Sequence, residues 1–274
     1  MTAYIGPWGN LVGFKCPSGL DISSETRSSY KTTMGGRVVE QRGPRGRRTW
    51  QASLATAMPS EIAGLEALEM GVLGKPPWVW VPPNAQSQNL FAPEASVMAQ
   101  GSYSNSAIPG GSVVADDGVL VPATASALPG ATLTFGSPGG ILDPIPVIPA
   151  VPLTVSVYAA GAFASMTLTF RNITGAYIAT HTTAVTAAMS RHSITRTAPA
   201  GAVDAFVRVI AGSAASARVG NPAATWTSML MPWSVGRGCN KVTVEGLSES
   251  LQMAVKDEPG MNRSSHQFTV KELG

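Results

Sequence analysis

Hydrophobic and polar residues alternate most clearly over residues 151–158, VPLTVSVY, where valine or leucine occupies every odd position. A period of two predicts a β-strand with one buried face. Residues 166–171, MTLTFR, repeat the pattern, then Thr174-Gly175 predicts a turn and residues 177–183 predict the returning strand. Further short strands separated by Gly, Pro and Asn turns make the stretch 131–229 typical of an antiparallel β-sandwich.

The segments on either side have other patterns. Ser60 can cap a helix that Gly71 ends. The residues that share one face of this predicted helix are Ile62, Leu65, Leu68 and Val72. Prolines on both sides of the strand-like run 78–81, WVWV, predict a strand at the edge of a sheet or the last strand before a domain crossing.

Residues 240–274 predict three strands, at 241–244, 251–255 and 267–270. Three strands are marginally stable alone, which favours a sheet begun by residues 1–83 and completed here. We therefore predict an all-β fold with one short helix. It consists of a split β-barrel or sheet domain, residues 1–88 plus 230–274, and an inserted jelly-roll-like antiparallel β-sandwich, residues 89–229.

Composition favours a component of an assembly. Charged residues make up only 13% of the chain, so much of the surface is neutral or covered by other subunits. The net charge is +3, and the excess lies in residues 1–88, which hold nine basic and six acidic residues. A nucleic-acid-binding protein is usually more basic, so we do not expect nucleic acid as a partner.

The first residues and the apolar runs of the sequence bear on where the protein is made. MTAYIGPWGN lacks the basic start and apolar core of a signal peptide, and no apolar run is long enough for a membrane helix. These features predict synthesis and assembly in a cytoplasm, without membrane insertion. Cys16 and Cys239 are expected to be buried thiols, with a disulfide or a metal pair as the alternative.

Catalytic and metal-binding patterns are missing from the sequence. The three histidines lie on different segments, and neither zinc-type spacing nor a Gly-x-Ser-x-Gly elbow occurs. Asp116-Asp117-Gly118 predicts a plain turn, with calcium ligands as the alternative. Asp143 and Asp204 could each supply a second carboxylate for glycoside hydrolysis, but no spacing selects them. We expect no enzyme activity, no cofactor and no metal.

A basic cluster surrounds Gly43-Pro44, which predicts a hairpin turn with arginines at its tip. Its members are Arg42, Arg45, Arg47 and Arg48. The cluster can be a solvated loop, a docking surface for an acidic neighbouring subunit, or a DNA contact. We predict an oligomer interface as its functional role.

Tryptophans are concentrated near the two predicted domain crossings. They are Trp78, Trp80, Trp226 and Trp233. Their proline-flanked positions favour packing where the domains meet over a role as sugar platforms. Tyr103, Tyr158 and Tyr177 are better candidates for contact with a polar ligand.

Four segments occur in a familiar order: EIAGLEALEMGVLGKPPWVWVPP, NLFAPEAS, PIPVIPAVPLTVSVY and TWTSMLMPWSVGRGCNKVTVEGLSESLQMAV. Together they span nearly the whole chain. This order resembles the minor tail proteins of long-tailed bacteriophages that infect actinobacteria, and their distal-tail (baseplate hub) relatives. The middle domain resembles the sandwich of carbohydrate-binding modules that is often inserted in such proteins.

The resemblance implies a structural virion component at the phage tail tip, assembled in the host cytoplasm. It would form a ring that joins the tail tube to the baseplate or tip, with six subunits expected and three as the alternative. Its partners would be copies of itself, tail-tube proteins and tail-tip proteins. The alternative function is host attachment, in which the sandwich binds cell-wall glycans.

Overall fold

The computed structural model describes residues 2–15, 17–25, 28–42, 46–57, 59–99, 102–103, 107–135, 144–253 and 263–273. The fold is all-β with antiparallel strand pairs, as the sequence predicts. Contacts divide the chain into two compact units. Unit 1 is Met1–Pro7, Val12–Trp80 and Lys241–Gly274, and unit 2 is Trp8–Leu11 and Val81–Asn240. The domain limits expected after residues 88 and 229 stay a prediction.

The elements follow one another in a strand-rich order. The first are β1 (Thr2–Gly6), β2 (Val12–Lys15), β3 (Gly19–Glu25), β4 (Ser28–Thr32), β5 (Val38–Arg42), β6 (Arg47–Ala57), α1 (Pro59–Glu69), β7 (Trp78–Val81), α2 (Pro83–Ser87) and α3 (Pro93–Ser96). Next come β8 (Ile108–Gly110), β9 (Val113–Val114), β10 (Leu120–Val121), β11 (Thr124–Ala127), β12 (Thr132–Thr134), β13 (Ile145–Pro146), β14 (Pro152–Ala160), β15 (Ser165–Arg171), β16 (Tyr177–Ala184), β17 (Ser190–Thr197), β18 (Asp204–Ile210) and β19 (Ala217–Thr225). The last described strands are β20 (Cys239–Met253) and β21 (Arg263–Glu272).

Unit 1 is built on a seven-stranded sheet with the order β2-β1-β7-β20-β21-β6-β3. The strands at the C-terminus therefore lie in the same sheet as those at the N-terminus. Its aromatic core centres on Trp80, whose ring lies 6.0 Å from Phe14 and 6.3 Å from Trp50, centroid to centroid. Helix α1 buries Ile62 and lies against β2.

Several local predictions outside the sandwich were wrong. Strand β7 lies between β1 and β20, inside the sheet, because its flanking prolines fall outside the paired residues. Val72 follows α1 and is exposed. Residues 241–244 and 251–253, predicted to lie in two strands, belong to one strand, β20, because a bulge around Gly246 keeps the pairing with β21 continuous. Residues 254–255 of the second predicted strand lie outside the described residues. Two short helices, α2 and α3, lie beyond the single predicted one, each with proline at its start.

The predicted hairpin turn at Gly43-Pro44 lies outside the described residues. Strand β6 pairs with β3 in the seven-stranded sheet, whereas β5 pairs with β4 in a separate two-stranded ribbon. The turn of this ribbon lies at Thr33–Gly36, where Gly36 has a φ of 75° and its N–H donates to the Thr33 carbonyl. We call residues 28–42 the arm.

Unit 2 contains a two-sheet β-sandwich. One sheet, the covered sheet, has the order β17-β14-β19-β11-β8, and the other, the open sheet, has the order β12-β18-β15-β16 with β13 also paired to β18. The inner positions of both sheets are fully buried. They include Leu153, Val155, Val157, Met166, Leu168, Phe170, Val207 and Val209.

The outer face of β14 is also buried, which corrects the expectation of one exposed face. Thr154, Ser156 and Tyr158 occupy this face and are almost inaccessible to solvent. The Thr154 hydroxyl donates to the Thr227 carbonyl at 2.6 Å, and Arg191 Nη2 donates to Ser156 Oγ at 3.0 Å. Residues 226–238, the exit segment, thus contact this sheet from outside.

Asn89 is fully buried, and its side chain makes four hydrogen bonds. Its Nδ2 donates to the carbonyls of Pro222 at 3.2 Å and Ser234 at 2.9 Å. Its Oδ1 accepts from the N–H groups of Phe91 at 3.2 Å and Ala224 at 3.1 Å. One amide thereby joins its own segment, strand β19 and the exit segment.

The exit segment runs against residues 89–92 too closely for a side chain at two positions, Gly236 and Gly238. The Arg237 N–H donates to the Asn89 carbonyl at 2.9 Å, and the Gly238 N–H donates to the Phe91 carbonyl at 3.2 Å. A Cβ added to Gly238 would overlap the Leu90 carbonyl. Glycine is required here by close backbone approach.

In the described part of the chain, no helix is both long and apolar enough to cross a lipid bilayer.

The substitution Gly238→Ala tests this close approach. We expect the backbone shift that relieves the overlap to cost about 3 kcal/mol, which lowers the Tm of unit 2 by roughly 6–12 °C in calorimetry of the full chain. Gly35→Ala is the matched control, because an added Cβ there meets no atom within 4 Å. An equal Tm for both variants would contradict the assignment.

Candidate functional site

The outer face of the open sheet is the candidate site. The register of β15 with β18 and β16 places polar and aromatic residues together on this face, opposite the buried positions. From β18 they are Asp204, Phe206 and Arg208; from β15, Thr167, Thr169 and Arg171; from β16, Tyr177, Thr180 and Thr182. Thr132 and Thr134 of β12 continue the face beyond β18.

Tyr177 is the accessible aromatic residue of this face, with 61% of its surface exposed. A bulge between Phe170 and Arg171 sets Tyr177 opposite Arg171. The Tyr177 ring lies 5.7 Å from that of Phe206, centroid to centroid, and Arg208 Nη2 donates to the Tyr177 hydroxyl at 3.2 Å. The exposed ring is therefore held at its edge and at its hydroxyl.

Phe206 points outward yet is only 1% exposed, because two guanidinium groups cover it. The Cζ atom of Arg208 lies 4.4 Å from the Phe206 ring centroid, and that of Arg171 lies 5.2 Å away. Both distances are within the range of cation–π attraction. The buried Phe206 ring thus forms the floor against which Arg171, Arg208 and Tyr177 pack.

A carboxylate neutralises Arg171, whereas Arg208 has no such partner among the described residues. Arg171 binds Asp204 with both arms of its guanidinium, at 2.7 and 2.9 Å. Burial raises the pKa of Asp204, and the hydrogen bond and charge of Arg171 partly offset that rise. Among the described residues, no carboxylate forms an ion pair with Arg208. The positive charge of Arg208 is therefore available to a ligand.

Threonine hydroxyls surround the aromatic group. Thr169 and Thr180 face each other across β15 and β16 with their hydroxyls 3.2 Å apart, and Thr180 and Thr182 are exposed. A ring face, a guanidinium and several hydroxyls suit a ligand that carries both C–H faces and many hydroxyl or acidic groups. The arrangement can bind and orient such a ligand.

The sequence named two residues of this site, Tyr177 as a ligand contact and Asp204 as a possible catalytic carboxylate, and missed their neighbours. Tyr103 and Tyr158, named with it, are buried, and burial raises the pKa of each. The signal for Phe206 and Arg208 was their alternation with Val207 and Val209, which indicates opposite faces of β18. Asp204, considered as a catalytic carboxylate, is paired with Arg171.

Asp116-Asp117-Gly118 forms the predicted turn, between β9 and β10. Asp117 accepts from the Val119 N–H at 3.1 Å and from the Tyr158 hydroxyl at 2.8 Å. These bonds lower the pKa of Asp117. The turn thus attaches the β9–β10 hairpin to the covered sheet. Within the described residues, no three His, Cys, Asp or Glu side chains are grouped so that they could hold a metal ion.

The predicted interface arginines are in different situations. Arg47 is exposed at the start of β6, and Arg42 ends β5, although its side chain lies outside the described part of the structure, as does all of Arg45. Arg48 is largely buried against Glu272, with Nε–Oε2 at 3.1 Å and Nη2–Oε1 at 3.2 Å. Its charge is already balanced within unit 1. The interface role of the cluster stays a prediction.

The predicted domain-packing tryptophans are placed within their own units. Trp78 and Trp80 are buried in β7. Trp226 donates through Nε1 to the Pro146 carbonyl at 3.0 Å, and Trp233 is half-buried in the exit segment. Their packing between domains stays a prediction. Cys239 is buried, whereas Cys16 lies outside the described residues.

His181 lies on the inner side of β16, where its ring meets Phe170 edge-on. Arg196 donates to its Nδ1 at 3.2 Å. Burial, and then the charge of Arg196, lower the pKa of His181. The imidazole is therefore directed away from the candidate site.

A second concave surface lies on the outer face of the seven-stranded sheet and has a volume of about 420 Å³. Its polar lining comes from Asp21, Gln51, Ser53, Ser248, Gln267 and Thr269. These side chains are short or neutral apart from Asp21, and the lining holds no basic group. It offers less specific chemistry than the Tyr177 face.

No family model matches the chain, and no curated protein matches it in sequence. Solved structures match parts of it. The enzymatically active domain of tailspike protein 4 from bacteriophage CBA120 has 13% identity and a TM-score of 0.39, covering 51% of this chain and 21% of that one. This chain therefore spans about a fifth of that tailspike domain.

Carbohydrate-binding modules also match. The module of Cellvibrio mixtus lichenase 5A, in complex with cellotriose, has 14% identity and a TM-score of 0.30, covering 45% of this chain and 88% of that one. A xylanase 10B fragment of Clostridium thermocellum, bound to xylohexaose, has 12% identity and a TM-score of 0.33, covering 51% and 29%. TM-scores this low do not establish a common function, so the proposal below depends on this chain's own residues.

The link between Asp117 and Tyr158 predicts a pH-dependent stability. Because the folded state lowers the pKa of Asp117, its carboxylate stabilises the fold above the unfolded-state pKa, and this contribution is lost as pH falls below about 4. Asp117→Asn should therefore lower the Tm at neutral pH, with the difference from wild type disappearing in acid. Asp116→Asn, at the adjacent exposed position, is the control, and the same pH profile for both variants would contradict the assignment.

Proposed function

We propose that this chain is a non-catalytic structural component of a bacteriophage tail whose sandwich binds host-surface glycans through the outer face of the open sheet. The observation that carries the glycan-binding part is the exposed Tyr177 ring, fixed by Phe206 and Arg208. The order of segments that resembles phage tail proteins supports the virion assignment. The two roles are compatible, since one unit can assemble while the other binds.

The charge of the face narrows the ligand class. Tyr177 can stack on the C–H face of a sugar ring, while Arg208 can bind a carboxylate or phosphate group on the same or the next sugar. The exposed hydroxyls of Thr180 and Thr182 can exchange hydrogen bonds with sugar hydroxyls. An acidic cell-wall polysaccharide fits these groups better than a neutral one.

A glycan array with neutral, uronic-acid-bearing and phosphate-bearing polysaccharides tests the proposal. We expect the full chain to bind acidic glycans, and Tyr177→Ala to weaken binding about tenfold, since an aromatic contact of this kind contributes about 1.4 kcal/mol. Calorimetry with soluble oligosaccharides measures the affinity per site. For the affinity per site measured by calorimetry, Tyr30→Ala is the matched control, because Tyr30 is exposed to a similar extent, 66%, and lies in unit 1.

Two results would contradict this part of the proposal. One is the absence of binding to every glycan class at millimolar sugar concentrations. The other is equal binding by wild type and Tyr177→Ala. Arg208→Gln separates the charge from the ring, because it should reduce the preference for acidic over neutral glycans while leaving the stacking surface in place.

The structural part of the proposal is self-association into a ring that joins the tail tube to the baseplate or tip. The low content of charged residues and the exposed apolar side chains of the arm support it. Electron microscopy of the purified chain, and of tails labelled with an antibody against it, tests this part. We expect rings, sixfold in symmetry, and label at the tail tip; monomers together with unlabelled tails would contradict it.

A further inference from the structure

Among the described residues of unit 2, Phe163 is the most exposed aromatic one, with 89% of its surface accessible. It lies in the turn between β14 and β15 and has a φ of 58°. This left-handed conformation is unfavourable for a bulky side chain, and glycine is the usual residue there. A strained residue whose ring contributes nothing to the core is a candidate for a role in binding.

Neighbouring segments hold the Phe163 turn on both sides. On one side, a Cβ added to Gly212 would lie 2.9 Å from the Phe163 Cβ, so the two backbones are in close contact. On the other side, the Gly161 N–H donates to the Thr186 carbonyl at 2.9 Å. The backbone that carries the exposed ring is therefore fixed.

The contact with Gly212 places Phe163 at the outer face of the open sheet. The outward side chains of β18 are those of Phe206, Arg208 and Ile210. Gly212 continues this outward series, and it is still paired, because the Gly130 N–H donates to its carbonyl at 2.9 Å. The Phe163 Cβ lies where an outward side chain of Gly212 would be. Phe163 therefore lies at one end of the face that carries Tyr177.

Tyr177 and Phe163 lie at opposite ends of strand β15. Tyr177 faces Arg171, the last residue of the strand, whereas Phe163 precedes the first residue, Ser165, by two positions. The seven residues of β15 span about 20 Å. A disaccharide is too short to contact both rings, whereas a longer oligosaccharide can reach from one to the other.

Polar side chains occupy the outer face between the two rings. They are those of Thr132, Thr134, Ser165, Thr167, Thr182 and Arg208. A protein interface has an apolar centre, whereas here the exposed apolar side chains lie at the two ends of the face. Hydroxyl groups around a guanidinium suit a chain of sugars that carries hydroxyl and acidic groups.

The loops around Phe163 leave its ring accessible. They are residues 128–131, 161–164, 185–189 and 211–216, and none of these positions holds a charged residue. Most of them are alanine, glycine or serine, and Leu128, which is 51% exposed, adds apolar surface. A sugar can therefore place its C–H face on the Phe163 ring without displacing a large side chain.

We propose that Phe163 is a second aromatic contact for the same glycan chain that binds Tyr177 and Arg208. One sugar stacks on Tyr177, an acidic group binds Arg208, and a sugar further along the chain packs on Phe163. The site thus takes an extended acidic oligosaccharide rather than a single sugar, and this contact accounts for an aromatic residue at a strained position. The inference rests on the glycan binding in the proposed function and specifies the length of the ligand.

Glycans of graded length test the inference. Oligogalacturonates and glycerol-phosphate oligomers, each from the dimer upward, are the uronic-acid and phosphate probes for calorimetry with the full chain. We expect the affinity to rise with length until the oligomer spans the face, with one oligomer bound per protein molecule. Phe163→Gly should weaken binding of the longest oligomer about tenfold and leave that of the shortest binding oligomer unchanged.

The controls separate loss of the ring from loss of the fold. Glycine adopts a φ of 58° without steric cost, so the Tm of Phe163→Gly should equal or exceed that of wild type. Leu120→Ala removes another exposed apolar side chain of unit 2, on the β9–β10 hairpin beside the covered sheet, and should leave every affinity unchanged. Tyr177→Ala should weaken binding of short and long oligomers alike.

Several outcomes overturn the inference, and they can be told apart. If Phe163→Gly binds every oligomer as wild type does while Tyr177→Ala binds more weakly, Phe163 is not a contact and the Tyr177 site stands. Equal weakening for short and long oligomers, or two long oligomers bound per molecule, contradicts a single extended chain. Loss of self-association in Phe163→Gly with unchanged glycan binding makes the ring a protein contact. If wild type binds no oligomer at millimolar concentration, this inference and the proposed glycan binding both fail.

Discussion

The hydrogen bonds of Asn89 determine which surface of the sandwich is left for function. A buried primary amide is costly unless its donors and acceptor are satisfied, and here four backbone groups satisfy it. Those groups belong to three segments, so the amide holds the exit segment beside β19. From there the exit segment runs over the outer face of the covered sheet. On the outer face of the open sheet, Tyr177, Thr180 and Thr182 are by contrast exposed.

The charges on the outer face of the open sheet differ from one side of Phe206 to the other. Without cover, the apolar ring of Phe206 would be exposed to water. The guanidinium groups of Arg171 and Arg208 lie over the ring and exclude water from it, while their own charges stay near solvent. Asp204 neutralises one of them, Arg171, in a bidentate pair. The other, Arg208, contacts the hydroxyl of Tyr177. On one side of the face, Asp204 thus neutralises the charge of Arg171. On the other side, the charge of Arg208 and the ring of Tyr177 remain accessible.

Sequence reasoning succeeded where a local pattern decides the structure and failed where distant segments do. Strands β14, β15 and β16, the turn at Gly175 and helix α1 follow from periodicity and turn residues, and all are present. The interior position of β7 and the burial of Ser156 depend on segments far away along the chain, which no local pattern reveals. The site shows the same division: Tyr177 is an aromatic residue on a polar strand, and alternation with Val207 and Val209 indicates the outward side of β18 for Arg208. The placement of Arg208 beside Tyr177, however, depends on the pairing of β15 with both β18 and β16.

The charge asymmetry of the chain is partly balanced inside unit 1. The excess of basic residues lies in residues 1–88, and one of them, Arg48 of β6, binds Glu272 of β21 through two nitrogens of its guanidinium group. Lys31 and Arg37 of the arm are instead exposed. The positive excess is therefore not spread evenly over unit 1, because part of it stabilises the seven-stranded sheet through an ion pair and part of it lies in water on a two-stranded ribbon, which is marginally stable by itself.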